Sequence, residues 1–331
     1  MKFLKFVLIF LLIIIFLIYI FLWVSSYKKY SVDFGVSFSK EHAIYLGLDW
    51  KKVYESVLMD LKPKYIRLSA PWNNIEKNKG SFDFRDMDYM MNEAKKAGIK
   101  VTLVVGQKAP RWPECYVPNW AIKLSVKEYQ DSLNNYLTQI VNRYKNNSAL
   151  ELWQVENEPF IDFKFGECVN FRPDLVDEEI KLVSFLDQPH WTIVTDSGEL
   201  GWWKKASQLS DLFGTTLYRV VRSPNGMVWT YDWLPPTFYR YKAILNGIHL
   251  ESMYVSELQA EPWFTDLGPN ETPIPEQMKT MNIKRLNKNI DFVERIGIGR
   301  AYLWGVEWWY WLKEKNNDSS YWNFVKELMI K

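Results

Sequence analysis

The feature that most constrains the fold is a repeated alternation of short, β-rich apolar runs with helix-length amphipathic stretches. The eight apolar runs are 33–39, 64–70, 99–106, 150–156, 190–196, 212–218, 252–258 and 300–306. The stretches expected to be helical are 50–61, 85–97, 126–145, 175–187, 201–210, 236–247, 276–296 and 318–329. Strands that alternate with helices form parallel sheets through right-handed crossovers.

Eight strand–helix units in a chain of 331 residues predict an α/β fold of the (β/α)8 type, a TIM barrel, in a domain covering residues 27–331. A doubly wound open sheet is the alternative. Such a sheet usually carries a glycine-rich phosphate loop after its first strand, whereas "GVSFSKEHA" contains a single glycine. This segment favours the barrel and argues against a nucleotide-dependent enzyme.

The first 26 residues form a separate segment. After Lys2 and Lys5, the stretch 6–24 contains no charged residue, glycine or proline. As a helix it is long enough to span a hydrocarbon core of roughly 30 Å. We therefore expect residues 1–26 to be a transmembrane signal-anchor. A cleaved signal peptide is the alternative, but no small-x-small cleavage site ends the apolar run.

Charge and cysteine content exclude several classes of function. The formal net charge of +2 provides no attraction to nucleic acid. Two cysteines and three scattered histidines form no metal-binding constellation, so we expect neither a metal nor another cofactor. In an exported domain Cys115 and Cys168 could form a disulfide, and the alternative is two unpaired thiols.

Two of the runs end in carboxylates that a barrel would bring together. Asn157 and Glu158 follow the fourth run in "LWQVENEP", and Glu257 ends the seventh in "MYVSEL". The C-terminal ends of barrel strands form the active site, and strands four and seven face each other across the axis. Two carboxylates divide acid and base work when their surroundings separate their pKa values. Glycoside cleavage uses such a pair, and the carboxylate separation decides between retention and inversion.

These segments resemble the glycoside hydrolases of clan A, whose barrels carry catalytic glutamates on strands four and seven. "NEP" at 157–159 is similar to the strand-four signature, and "SEL" at 256–258 to the strand-seven signature. Residues 65–105 resemble the strand-two to strand-three segment of families 5, 39 and 42. The matching positions there are Arg67, Trp72, Ile75, Glu76, Gly80, Phe82, Asp83, Phe84 and Asp88. The resemblance covers residues 33–328 and assigns no single family.

The resemblance implies a retaining β-glycosidase that cleaves an oligo- or polysaccharide by double displacement. Glu158 would be the acid/base, and Glu257 the nucleophile that forms a covalent glycosyl-enzyme. Glu261 in "AEPW" is the alternative nucleophile, and Glu257 is preferred because it follows the apolar run "MYV". Gln107 follows strand three, where many family 5 members carry a histidine. The expected substrate contacts are Arg67, Trp72, Gln107, Trp112, Asn157, Tyr218 and Trp304.

Several of these contacts have specific expected roles. Arg67 would point toward Glu257 and keep it ionised, and Tyr218 would donate a hydrogen bond to it. Asn157 would hold the sugar 2-hydroxyl, a contact that strengthens in the transition state. Trp304 would stack under the sugar at the point of cleavage.

Two aromatic segments are predicted to lie on the rim of the cleft. "APRWPECYVPNW" at 109–120 would form the loop after strand three, and "VEWWYW" at 306–311 the loop after strand eight. Aromatic rings stack on the flat C–H faces of sugars. Cys115 and Cys168 lie on the neighbouring loops after strands three and four, so a disulfide that braces the rim is a reasonable hypothesis.

The sequence thus predicts a monomer anchored in the cell membrane by one span. The barrel would lie outside the cytoplasm, because a polysaccharide or glycoconjugate is the expected substrate. Two alternatives stay open. One is a carbohydrate-binding barrel without turnover, which would not need both Glu158 and Glu257. The other is a transglycosylase that uses the same two glutamates with a sugar acceptor in place of water.

Overall fold

The computed structural model describes residues 2–161, 166, 168–223, 225–264 and 267–330. Eight parallel strands form a closed barrel. They are β1 Asp33–Phe38, β2 Tyr65–Ser69, β3 Lys100–Val105, β4 Leu150–Val155, β5 Trp191–Ser197, β6 Leu212–Leu217, β7 Met253–Gln259 and β8 Arg300–Trp304. The barrel closes where β1 pairs with β8. Every predicted run forms one barrel strand, so the TIM-barrel prediction is confirmed.

Helices surround this barrel. They are α1 Lys2–Ser25, α2 Lys40–Tyr45, α3 Trp50–Ser56, α4 Trp72–Ile75, α5 Arg85–Ala97, α6 Val126–Tyr144, α7 Val176–Leu186, α8 Pro236–Leu245, α9 Ile274–Gln277, α10 Ile283–Glu294, α11 Val306–Asn316 and α12 Ser320–Ile330. A π-helical turn extends α3 to Leu61. Between β6 and α8, strands Val220–Arg222 and Val228–Thr230 pair as an antiparallel hairpin.

Two predicted helices differ from the structure. The stretch 201–210 contains only the short 3-10 turn Ala206–Gln208. The stretch 276–296 is not one helix: α9 ends at Gln277, and α10 begins at Ile283, where Asn282 caps it by accepting a hydrogen bond from the backbone of Arg285. The other predicted helices form within about two residues of their expected bounds, which is the usual uncertainty at helix ends.

Local sequence explains where the long helices begin and end. α6 starts in a capping box, in which Ser125 and Glu128 each bond the other's backbone. α5 ends at Gly98, whose φ of 71° is the left-handed conformation that glycine adopts without strain. Both helices bury one apolar face against the strands, as their periodicity predicts.

The segment 306–311 was predicted to be a rim loop, and this prediction was wrong. It begins α11, in which Trp308 and Trp309 are fully buried. The indole of Trp309 donates to the carbonyl of Ala260, and that of Trp308 to the side chain of Gln277. These tryptophans therefore belong to the hydrophobic core and are not platforms for sugar.

The N-terminal helix α1 has 24 residues and none of them is buried. It is long and apolar enough to cross a membrane and fits a transmembrane helix. Its last turns contact the barrel near α8. Tyr19 donates to the carbonyl of Trp233 at 2.8 Å, and the hydroxyls of Ser26 and Thr237 lie 3.1 Å apart.

Candidate active site

A cavity of about 280 Å³ opens at the C-terminal ends of the barrel strands. It brings together six of the residues predicted from the sequence. These are Trp112, Asn157, Glu158, Tyr218, Glu257 and Trp304. The sequence prediction that the ends of β4 and β7 meet in one cavity therefore agrees with the arrangement of the strands.

Glu257 is held by two donors from neighbouring strands. Arg67 at β2 places Nη1 2.8 Å from Oε1, and Tyr218, just after β6, donates its hydroxyl to Oε2 at 2.6 Å. Burial, and next the charge of Glu257, raises the pKa of Tyr218 well above its usual value, so the phenol keeps its proton. Each oxygen of this carboxyl group therefore accepts a hydrogen bond from a neighbouring strand or loop.

The surroundings of Glu158 favour the protonated form of its carboxyl group. Burial raises its pKa to about 8, with a further contribution from the negative charge of Glu257. Thr216 donates to its Oε1 at 2.8 Å and partly offsets this rise. Glu158 is therefore protonated at neutral pH, which is the form that a general acid requires.

Arg67 lies beneath the cavity and does not line it. Its Nε donates to Gln154 and its Nη2 to Asn157, each at 2.8 Å. With its bond to Glu257, this guanidinium fixes two of the side chains that do line the cavity. The prediction that Arg67 contacts substrate is therefore corrected to a positioning role, and its predicted approach to Glu257 is observed.

Known proteins share this architecture. The model of Glycosyl hydrolase family 10 matches residues 68–177, about a third of the chain. Native xylanase 10B from Thermotoga maritima is 13% identical with a TM-score of 0.54, over 86% of this chain and 84% of that one. GH5_18 from Streptomyces cattleya is 10% identical with a TM-score of 0.58, over 84% of this chain and 71% of that one. The chain is a glycosidase. It has the barrel of clan A, and no single family is assigned.

A tight turn after β4 directs the side chain of Glu158 into the cavity. Glu156 and Glu158 both adopt positive φ, 61° and 45°, which is unusual for non-glycine residues. Glu156 points away from the cavity and accepts the backbone N–H groups of Gln107 at 2.6 Å and Lys108 at 2.5 Å. A side chain at Gly106 would collide with Glu156, so this glycine permits the close approach.

Gln107 does not line the cavity, contrary to its predicted contact with substrate. Its side chain is buried and donates to the carbonyl of Val169 at 2.8 Å. The amide therefore ties the loop after β3 to the loop after β4. In this glycosidase Gln107 supports the rim and does not form part of the binding surface.

Trp72 does not line the cavity either, contrary to its predicted contact with substrate. It is 0% exposed and starts the short helix α4. Its indole donates to Glu76 at 2.8 Å, and Glu76 in turn accepts the backbone N–H of Gly80 at 2.7 Å. Trp72 and Glu76 therefore stabilise the loop around Gly80. Trp72 also packs edge-on against Trp120.

A buried charge cluster beside the cavity was not predicted. Arg111 donates to both Glu261 and Glu307, and its guanidinium lies 4.0 Å from the ring centre of Trp304. Ligand-type atoms of Glu261, Glu307 and His42 lie within 4.8 Å of one another, a spacing that could hold a metal. The guanidinium already supplies the positive charge there, so these residues fit an ion pair better than a metal site.

The rim loop after β3 contributes one exposed aromatic residue. Trp112 is 72% exposed and lines the cavity, whereas Tyr116 is buried and Trp120 is only partly exposed. In the structure Cys115 and Cys168 form a disulfide, with their Cα atoms 5.1 Å apart. This bond joins the loops after β3 and β4, as the sequence suggested.

Other cavity residues could not be read from the sequence. Trp263 follows β7 and packs edge-on against Tyr218, with ring centres 5.2 Å apart. Val221 lies on the hairpin after β6, and Tyr231 directly follows this hairpin. Glu114 has its pKa raised to about 7 by burial, partly offset by Lys108. No local motif marks these residues, since only the closed barrel brings them to one cavity.

Proposed function

We propose that this glycosidase is a retaining β-glycoside hydrolase that acts through a covalent glycosyl-enzyme. The observation that carries the proposal is the contrast between two glutamates in one cavity. Glu257 receives hydrogen bonds from Arg67 and Tyr218, whereas burial raises the pKa of Glu158 to about 8. A charged nucleophile and a protonated acid are what the first step of double displacement needs.

In the first step a carboxylate oxygen of Glu257 attacks the anomeric carbon of the sugar. The glycosidic C–O bond breaks, and Glu158 transfers its proton to the departing oxygen. Tyr218 and Arg67 hold Glu257 in the attacking position. Asn157 is positioned by Arg67 at 2.8 Å, and we propose that it bonds the sugar 2-hydroxyl.

In the second step a water molecule replaces the departed group. Glu158, now ionised, removes a proton from this water molecule while the water oxygen attacks the anomeric carbon. The bond between the sugar and Glu257 breaks, and both carboxyl groups return to their starting states. Two inversions at one carbon leave the configuration unchanged, which defines a retaining enzyme.

The cavity walls support a carbohydrate chain as the substrate. Trp112 and Trp263 offer flat apolar surfaces beside the two carboxylates. Trp304 also lines the cavity, and the guanidinium of Arg111 covers one face of its ring. Such surfaces suit the C–H faces of sugar rings, and the polar groups between them suit hydroxyls. We therefore propose an oligo- or polysaccharide substrate.

We also propose residues 1–26 as a membrane anchor and residues 27–331 as the catalytic domain, outside the cytoplasm and monomeric. The apolar helix α1 supports the anchor. The disulfide between Cys115 and Cys168 supports an exported domain, because such bonds persist in oxidising compartments.

The test is turnover by the full-length protein in detergent, on a panel of β-linked oligosaccharides and aryl β-glycosides. We expect release of sugar that collapses in Glu257→Gln and in Glu158→Gln. Glu261→Gln is the matched comparison, because this carboxylate also lines the cavity. Turnover that survives in Glu257→Gln and is lost in Glu261→Gln would overturn the assignment of the nucleophile. NMR of the first product would report retention or inversion directly.

A further inference from the structure

The contacts of α1 with the barrel show toward which end of the barrel this helix extends. Helices α8 and α10 run antiparallel to the strands, so their N-terminal ends lie at the catalytic face. Just after α1, the N–H of Tyr30 donates to the carbonyl of Glu294 at 2.8 Å, at the far end of α10. Earlier in α1, Tyr19 donates to Trp233, just before α8 begins. The segment from Tyr30 back to Tyr19 therefore passes from the far end of α10 to the catalytic face, which α1 has reached where Leu22 contacts Thr237 in the first turn of α8.

The free part of α1 continues beyond that face. The groove between α1 and the barrel is lined from Phe16 onward, and side chains such as Phe3, Phe10 and Ile15 are exposed. From Lys2 to Trp23 the helix axis is about 32 Å long at 1.5 Å per residue. This matches a hydrocarbon core of roughly 30 Å, so Tyr19 and Trp23 lie at the level of the membrane interface.

At the same level the catalytic rim exposes large apolar side chains. Trp229 and Trp233, on and after the hairpin, are 54% and 53% exposed, and Met227 at the hairpin turn is 58% exposed. Leu200 and Trp202 on the neighbouring loop after β5 are also exposed. Tryptophan and tyrosine side chains are enriched where membrane meets water, because their rings are apolar and their edges polar.

We propose that this catalytic rim contacts the bilayer that α1 enters, with the hairpin strands Val220–Arg222 and Val228–Thr230, together with Trp233, seated in the headgroup layer. The contact is continuous with α1, since Tyr19 already bonds the backbone of Trp233. An exposed apolar patch of this kind marks an interaction surface. The bilayer is the occupant that the chain itself brings to this position.

The same hairpin forms a wall of the cavity, which links the membrane contact to catalysis. Val221 and Tyr231 line the cavity, whereas Trp229 and Trp233 face outward. The mouth therefore opens toward the headgroup layer, within reach of sugars carried at the membrane surface. If the proposed glycosidase function holds, the substrate is a membrane-borne glycan rather than a freely diffusing polysaccharide.

The test measures depth and needs no turnover. Since Cys115 and Cys168 are bonded to each other, an introduced cysteine is the free thiol that a fluorescent label modifies. Met227→Cys places the label on the hairpin. Trp191→Cys is the matched control, because Trp191 is 59% exposed at the opposite end of the barrel. The full-length proteins are reconstituted in phosphatidylcholine vesicles with and without lipids that carry a nitroxide near the headgroup.

We expect nitroxide lipids to quench the label at position 227 at least about threefold more strongly than the label at 191, because only the hairpin reaches the interface. Val228→Cys provides a second hairpin position if the first variant folds poorly. Equal quenching at the two ends, or stronger quenching at 191, would overturn the proposed orientation. Such a result would leave the double-displacement mechanism standing, because the loss of turnover in Glu257→Gln tests that mechanism separately.

Discussion

The pKa of Glu158 should change when one hydroxyl group on β6, that of Thr216, is replaced by a methyl group. Thr216 donates to Glu158 Oε1 at 2.8 Å and thereby lowers a pKa that burial raises to about 8. Thr216→Val removes this donor and keeps the shape of the side chain. The ionised form of Glu158 then loses a partner, so its pKa must rise further.

The size of the shift follows from the strength of the lost bond. A hydrogen bond to a charged group contributes about 1.5–3 kcal/mol, and one pKa unit corresponds to about 1.4 kcal/mol. The protonated carboxyl can also bond Thr216, so the difference between the two forms is smaller. We expect a rise of about one unit, which moves the alkaline limb of kcat/KM from about pH 8 to about pH 9.

The assay is kcat/KM against pH on an active oligosaccharide, whose leaving group needs a proton. Thr215→Val is the matched control, because Thr215 lies next in the same strand and bonds a backbone carbonyl instead. A dinitrophenyl glycoside provides a second control, since its leaving group departs without a proton and its alkaline limb should not move. An unchanged limb in Thr216→Val, or an equal shift in Thr215→Val, would refute Glu158 as the acid.

Three further changes test other contacts. Tyr218→Phe removes a donor to Glu257 and should lower kcat/KM by about tenfold to a hundredfold with little change in Tm; unchanged kinetics would exclude this contact from the mechanism. Reduction of the bond between Cys115 and Cys168, 53 residues apart, should lower the free energy of unfolding by up to about 4 kcal/mol, seen as a lower Tm. The double Cys→Ser variant should not respond to the reductant. Trp72→Phe should lower stability by about 1–3 kcal/mol and leave KM unchanged, whereas a raised KM would restore Trp72 as a substrate contact.

The strands of this barrel could be predicted because each one is a short run of apolar residues between turn signals. Strands of parallel barrels are buried on both sides, so their sequences are continuously apolar. Glu158 and Glu257 were singled out as a pair, because they end the fourth and seventh predicted strands and match the strand-four and strand-seven signatures of clan A. Their convergence then follows from the topology of the barrel.

The tryptophan-rich helix α11 could not be predicted in the same way. Its first turns bury Val306, Trp308 and Trp309 on several sides, so no amphipathic pattern marks them as a helix. Tryptophan is also enriched in strands and is only an intermediate helix former, so its intrinsic preference does not indicate a helix here. The same limit applies to Trp72, because a sequence does not distinguish an indole that packs in the core from one that faces a ligand.

Contacts between segments that are distant in the chain could not be predicted from the sequence. Arg111 meets Glu261 and Glu307 only because the loops after β3 and β7 and the start of α11 converge at one end of the barrel. The raised pKa of Glu158 depends on burial and on the nearby Glu257. Both features are properties of the closed structure and have no local signal in the chain.

The most direct measurement of the central claim is to trap the covalent intermediate. The full-length protein is incubated with a 2-deoxy-2-fluoro β-glycoside of a sugar that it cleaves, with dinitrophenolate as the leaving group. The fluorine slows both steps, and the good leaving group restores the first, so the glycosyl-enzyme accumulates. Mass spectrometry of proteolytic peptides then locates the added sugar. We predict one sugar per chain on Glu257, and none in Glu257→Gln. An adduct on Glu261, or full turnover of the unmodified substrate with inversion and no adduct, would contradict the account.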